Sequence, residues 1–194
     1  MRNWRELITR NGFLGAMVAL LTVFTAATAY LGSEAEISGD DLDNNTQNNL
    51  VLASAAYLDG NMIALKDMAL YEGYILNEKE DPALAGQYLN GVSPELLAEL
   101  EEPGPPFTEA YFEIRYAEAT RLLAEAEEMQ EQGDHADKQA LRYQLTMLIF
   151  AFGLAMIGWA SLADSKPGIV RLFVFFALFA LISGITSLIF ALTA

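Results

Sequence analysis

The chain has 194 residues, no cysteine, 53% hydrophobic residues and a net charge of −15. Lack of cysteine excludes disulfides, thiol chemistry and cysteine metal sites, and the acidity argues against nucleic acid and anionic headgroups as partners. High apolarity beside high acidity requires the two to occupy different parts of the chain.

They do. Residues 11–33, 143–163 and 172–194 contain no Asp, Glu, Lys, Arg or His. Each run is long enough for a bilayer-crossing helix, which needs ~20 mostly apolar residues. Residues 34–142 hold 24 acidic and 6 basic residues, a balance of −18. The remaining basic residues are Arg2, Arg5, Arg10, Lys166 and Arg171. Short basic loops stay cytoplasmic. The expected fold is therefore an all-α integral membrane protein with three transmembrane helices. An acidic helical extracytoplasmic domain is inserted between spans one and two. Residues 1–10 and the turn 164–171 are cytoplasmic in this scheme, and 34–142 lie outside a prokaryotic cell membrane. Trp4, Tyr30, Tyr143 and Trp159 fall near span ends, where amphipathic rings favour the interface. Arg2, Arg5 and Ala27-Thr28-Ala29 also fit a secretory signal with a cleavage site. The apolar run is longer than a usual signal core, so it is read as a retained span.

Small residues recur along the spans: Gly12, Gly15, Ala16, Ala19, Ala26 and Ala27, then Ala151, Gly153, Ala155 and Gly158, then Ser183, Gly184 and Ser187. They permit close helix approach, within one chain or between copies. After the first span, Ser38 to Asn45 are polar and turn-rich, as expected of a linker or a helix start. A helix over 46–77 follows, apolar around most of its circumference and therefore expected to be largely buried. Asp59, Lys66, Asp67 and Glu72 mark its expected wet side.

Asp81-Pro82 and Ser93-Pro94 each pair an N-cap with proline at the first helical position. They predict short helices over 82–89 and 94–101. Glu102-Pro-Gly-Pro-Pro-Phe is a hard break. A helix over 108–132 presents Ala110, Ile114, Ala117, Leu122, Ala126 and Met129 as its apolar face, and Gly133 is placed to cap it. With no breaker from Asp134 to Pro167, residues 136–163 predict one helix entering the second span.

The run from Gly133-Asp134 through Tyr143-Gln-Leu-Thr-Met-Leu-Ile-Phe-Ala151 resembles the junction in a loose group of uncharacterised prokaryotic membrane proteins. Those have one N-terminal span, a helical outer region and a C-terminal pair of spans. Here the junction carries Thr146-Met-Leu-Ile-Phe-Ala. The group implies no activity, substrate or cofactor. The 108–132 helix with Gly133 also resembles half of a tetratricopeptide unit, with no second copy in the chain.

No catalytic or cofactor motif emerges. Asp41-Leu-Asp43-Asn-Asn45 begins like a calcium loop, but Thr46 and Leu52 occupy the places of the required Gly and Glu. A capped turn or a looser cation site remains open. His135, the one histidine, neighbours Glu131, Asp134 and Asp137 but lacks further nitrogen ligands for zinc. The spans carry no ionisable group, which argues against an energised transporter. A passive pore lined by Thr22, Thr25 and Thr28 survives beside simple packing of those residues.

The expected function is a non-enzymatic membrane scaffold without cofactor or metal, a homo-oligomer or an accessory subunit. Its partners are membrane lipid and other protein chains. The expected protein interface is Val51, Leu58, Met62 and Leu65, because the domain is too small to cover so apolar a helix. A passive channel formed by oligomerisation and an outward-facing sensor are the alternatives.

Overall fold

A computed structural model describes residues 12–163 and 167–193. Among them are five helices and no strand: α1 (Gly12–Asn77), α2 (Pro82–Leu89), α3 (Pro94–Glu101), α4 (Glu109–Leu162) and α5 (Pro167–Thr193). The basic N-terminal residues and Lys166 lie outside the described residues. α1, α4 and α5 are each long and apolar enough to cross a membrane. The all-helical character and the three membrane-length helices agree with expectation, and α2 and α3 agree to the residue.

Two expected breaks are absent. α1 runs unbroken through Ser38–Asn45, and α4 runs unbroken through Gly133 and Asp134. The reason lies in a seven-residue repeat. Gly32, Gly39, Thr46, Ala53, Gly60 and Asp67 recur on α1, and Ala119, Ala126, Gly133 and Ala140 on α4; all are buried. Seven residues are nearly two helical turns, so each set forms one stripe. Small residues there let backbones approach. Gly39 and Gly133 are thus helix-packing positions rather than turns. α5 also begins earlier than the third apolar run, so Arg171 is helical.

The chain divides into two compact units. One holds the described residues up to Leu42 and from Glu131 onward. Its core is Met17, Leu21, Phe150, Ile157 and Ala177. Phe24 stacks on Phe150 at 5.2 Å, and Gly184 leaves the room that the Phe150 ring fills. Thr146 and Ser187 share a hydroxyl hydrogen bond of 2.7 Å between α4 and α5. Thr22, Thr25 and Thr28 each donate to their own helix, to the carbonyls of Val18, Leu21 and Phe24. Tyr143 is not an interface ring: it is 4% exposed and packs opposite Gly32. Of the small span residues, Gly153 and Gly184 are packed, whereas Gly12, Gly15 and Gly158 face open space.

The second unit is Asp43–Gln130, shorter at both ends than the charge-defined segment 34–142. Asp81 accepts from Leu84 N at 3.1 Å to start α2. Ser93 accepts from Leu96 N at 3.3 Å to start α3. Between α3 and α4 the prolines force an irregular path, and Phe107 adopts φ 64°. That left-handed backbone is strained for a non-glycine residue. Edge-on ring contacts to Tyr71 at 5.9 Å and Tyr111 at 5.3 Å hold it. Thr108 then donates its amide to Glu99 at 3.0 Å and its hydroxyl to the same carboxyl, tying α3 to the start of α4. Ala64, Val92, Leu96 and Tyr111 form the core.

Candidate functional site

Within the second unit α1 has two unlike faces. One meets α4: Gly60 lies where an added Cβ would stand 3.0 Å from the Arg115 carbonyl oxygen and from the Tyr116 ring. Tyr57 stacks on Tyr116 at 4.8 Å, and the Tyr116 hydroxyl donates to Asn61 Oδ1 at 2.7 Å.

The expectation of a largely buried helix fails on the other face. Val51 is 67% exposed, Leu58 63%, Met62 70% and Leu65 65%. Leu50, Leu52 and Tyr57 are exposed too. α2, α3 and α4 cover the side carrying Ala53, Gly60, Ala64 and Asp67 and leave the opposite side bare. All four expected interface residues therefore lie together on one open apolar strip.

Asp67 is not on the wet side. It is 0% exposed and sits in the small-residue stripe. Its Oδ1 accepts from Ser93 N at 2.8 Å. Its Oδ2 accepts the Ser93 hydroxyl and the Tyr111 hydroxyl at 2.7 Å. Burial first, and the bond to Asp67 second, push the Tyr111 phenol well above its ordinary range. Nearby, Arg115 pairs with Glu95 and lies 5.7 Å from the Tyr111 ring centre. This cluster fastens the α2–α3 excursion to α1 and α4, so the bare strip stands on a fixed base. Every polar atom of the Asp67 carboxyl is occupied, so its chemistry is that of a clamp. Sequence reasoning placed Asp67 in water; the seven-residue repeat ending on it was the signal that could have placed it inside.

The expected apolar face of the 108–132 segment is shifted. The shift is confined to its first half: Ala110, Ile114 and Ala117 are exposed and Tyr111 and Ala119 buried in their place, whereas Leu122 and Ala126 are buried as expected. Asp41, Asp43 and Asn45 lie on continuous helix. There alternate side chains diverge by about 200° and do not converge as a calcium loop requires. His135 is exposed on α4. Among the described residues no group of three or more His, Cys, Asp or Glu could hold a metal ion.

A cleft of about 370 Å³ in the first unit is lined by Thr28, Gly32, Glu36, Gln144, Met147 and others. It is shallow and mixed in character, with no convergent set of polar groups. The chain matches no protein-family model, no curated protein and no solved structure.

Proposed function

We propose that the chain is a non-enzymatic membrane scaffold whose outer helices make protein contacts. The observation that carries this reading is the strip Val51, Leu58, Met62 and Leu65, 63–70% exposed on a unit otherwise rich in acid. Contiguous apolar surface of this kind marks interaction sites. Burying one such side chain contributes about 1.5–3 kcal/mol, so a few suffice for association once chains share a membrane. In this reading the N-terminus is cytoplasmic and residues 34–142 face outward in a prokaryotic cell membrane, in keeping with the basic residues at 2, 5, 10, 166 and 171.

Two measurements test it. Single cysteines at Ser38 and Asp134 should react with an impermeant maleimide in intact cells; protection of both refutes the orientation. The second is mass in detergent. Leu58→Asp should leave the helical signal intact and lower the mass, since a buried interfacial charge is costly without a partner. Ala53→Asp, on the packed face, should instead disrupt the unit. A wild type that is already a bare monomer, unchanged by Leu58→Asp, removes the basis of the scaffold reading.

A further inference from the structure

The strip is regular as well as apolar. Val51, Ala55, Leu58, Met62, Leu65 and Ala69 are separated by steps alternating between four and three residues. This is the a/d seam of a coiled coil, with Val51, Leu58 and Leu65 at d and Ala55, Met62 and Ala69 at a. All six are exposed. The buried Ala53, Gly60 and Asp67 fall at f of the same heptads, directly opposite. α1 is therefore packed on one side against its own chain and carries a second, unoccupied coiled-coil face on the other.

We propose that this face pairs with the same face of a second copy, forming a parallel, in-register, two-stranded coiled coil over residues 48–69. The proposal rests on the scaffold reading and names its partner. Charge supports a copy of this chain. Two acidic domains of balance −18 repel over most of their surface. Yet residues 44–71 contain only Asp59, Lys66 and the buried Asp67 as charged groups. Outward charge over that stretch cancels, while acidic blocks lie on either side, at 34–43 and 72–81. The seam is the face on which two such chains can approach.

Direction follows from α1 itself. One uninterrupted helix carries both the first apolar run and the seam. Copies inserted in one bilayer present it with the same polarity, so pairing is parallel. Register follows from Asn48, which occupies an a position one heptad before Ala55. In register its amide meets the partner's amide, and the two satisfy each other. A slip of one heptad sets it against Ala55 with no partner, the known use of a single a-position Asn. In this register Asp59 flanks the partner's Ser54, and Lys66 flanks the partner's Asn61, so no like charges face. Glu72, the next d position, brings two carboxylates together and ends the seam.

The cysteine-free chain makes the test direct. Single cysteines replace Leu58, Met62 or Leu65 in the full-length protein, with exposed Thr120 on α4 as control. Mild oxidation in native membranes should give a disulfide-linked dimer from each seam variant and none from the control. Asn48→Leu should retain association but broaden the mass distribution toward larger assemblies. A complex with a different protein, without symmetric cross-links, overturns self-pairing and leaves the scaffold reading standing. Two co-expressed single-cysteine chains, one at Leu58 and one at Ala69, that cross-link only with each other overturn the parallel register. A lone monomer with no cross-link overturns both.

Discussion

Tyr111 donates its phenolic hydrogen to Oδ2 of Asp67 at 2.7 Å, and both side chains are fully buried. The Ser93 amide and hydroxyl converge on the same carboxyl. Three donors from α4 and the α3 start thus depend on one acceptor of α1. Tyr111→Phe should destabilise the unit by ~1–3 kcal/mol, the usual effect of stripping one partner from a buried polar group. Asp67→Ala strands three donors and should cost ~3 kcal/mol or more. Asp67→Asn keeps the shape but turns an amide donor toward donors, so it should cost nearly as much as Ala. Tolerance of Asn would sink the hydrogen-bond account. Near-ultraviolet tyrosine dichroism reports the unfolding, because six of the eight tyrosines lie in Asp43–Gln130.

Acid and base should loosen this unit at different places. Burial raises the Tyr111 pKa in the folded chain. Its contribution is therefore complete below the ordinary tyrosine value of about 10 and fades as pH climbs above it. The Thr108 hydroxyl and amide, bonded to Glu99, lower that carboxyl's pKa. Its contribution is present above the ordinary value of about 4.3 and is lost as pH falls further. Spectrophotometric titration near 295 nm should show Tyr111 ionising last, after Tyr74, whose bond to Glu78 also raises its pKa, and Tyr111→Phe should remove that last step. Thr108→Val should move the Glu99 titration back up toward the ordinary range. A Tyr111→Phe chain that keeps the last step assigns it elsewhere.

Glycines in the second unit divide by what surrounds them. An added Cβ at Gly60 meets the Arg115 carbonyl oxygen and the Tyr116 ring at 3.0 Å, whereas Gly86 has nothing within 4 Å. Gly60→Ala should cost ~1–3 kcal/mol, since backbone oxygen yields poorly to overpacking. Gly86→Ala, inside α2 with open space where the Cβ would stand, should stabilise by up to ~1 kcal/mol from helix propensity alone. Equal effects at the two positions would mean that α1 and α4 are not held at this separation.

Local chemistry was legible wherever it acts alone. Asp81-Pro82 and Ser93-Pro94 start helices because cap and proline act within one turn, and those boundaries agree to the residue. Charge-free runs mark the membrane-length helices for the same reason. The open strip was legible as more apolarity than so small a domain can cover, although the helix as a whole was expected to be more buried than it is. Gly39 and Gly133 were misread, since a glycine in a polar stretch is a breaker on local grounds and a packing residue only when another helix lies against it. Asp67 shows the same limit: its partners Ser93 and Tyr111 lie 26 and 44 residues away. Only the seven-residue repeat joins these positions, and a repeat of small residues carries little hydrophobic signal.

The continuity of α1 through the polar stretch gives the sharpest contrast between a linker and a helix. Ser38 is exposed and Gly39 buried, and both lie inside α1. A linker would accept proline at Ser38 with little effect. A continuous helix loses one backbone hydrogen bond and suffers a clash with the preceding turn, about 3 kcal/mol or more. Ser38→Pro should therefore kink α1, reduce helical dichroism and shift the unfolding transition. Ser38→Ala should leave all three unchanged or slightly strengthened. Gln139→Pro should act likewise on α4, which passes unbroken from the acidic segment into the second apolar run. The proline effect also bears on the seam, because parallel pairing relies on one helix joining span to seam. Ser38→Pro should weaken the symmetric cross-links at Leu58 and Leu65 without touching either residue. Normal cross-linking and normal helicity in the Ser38→Pro chain would show that the span and the seam are joined flexibly.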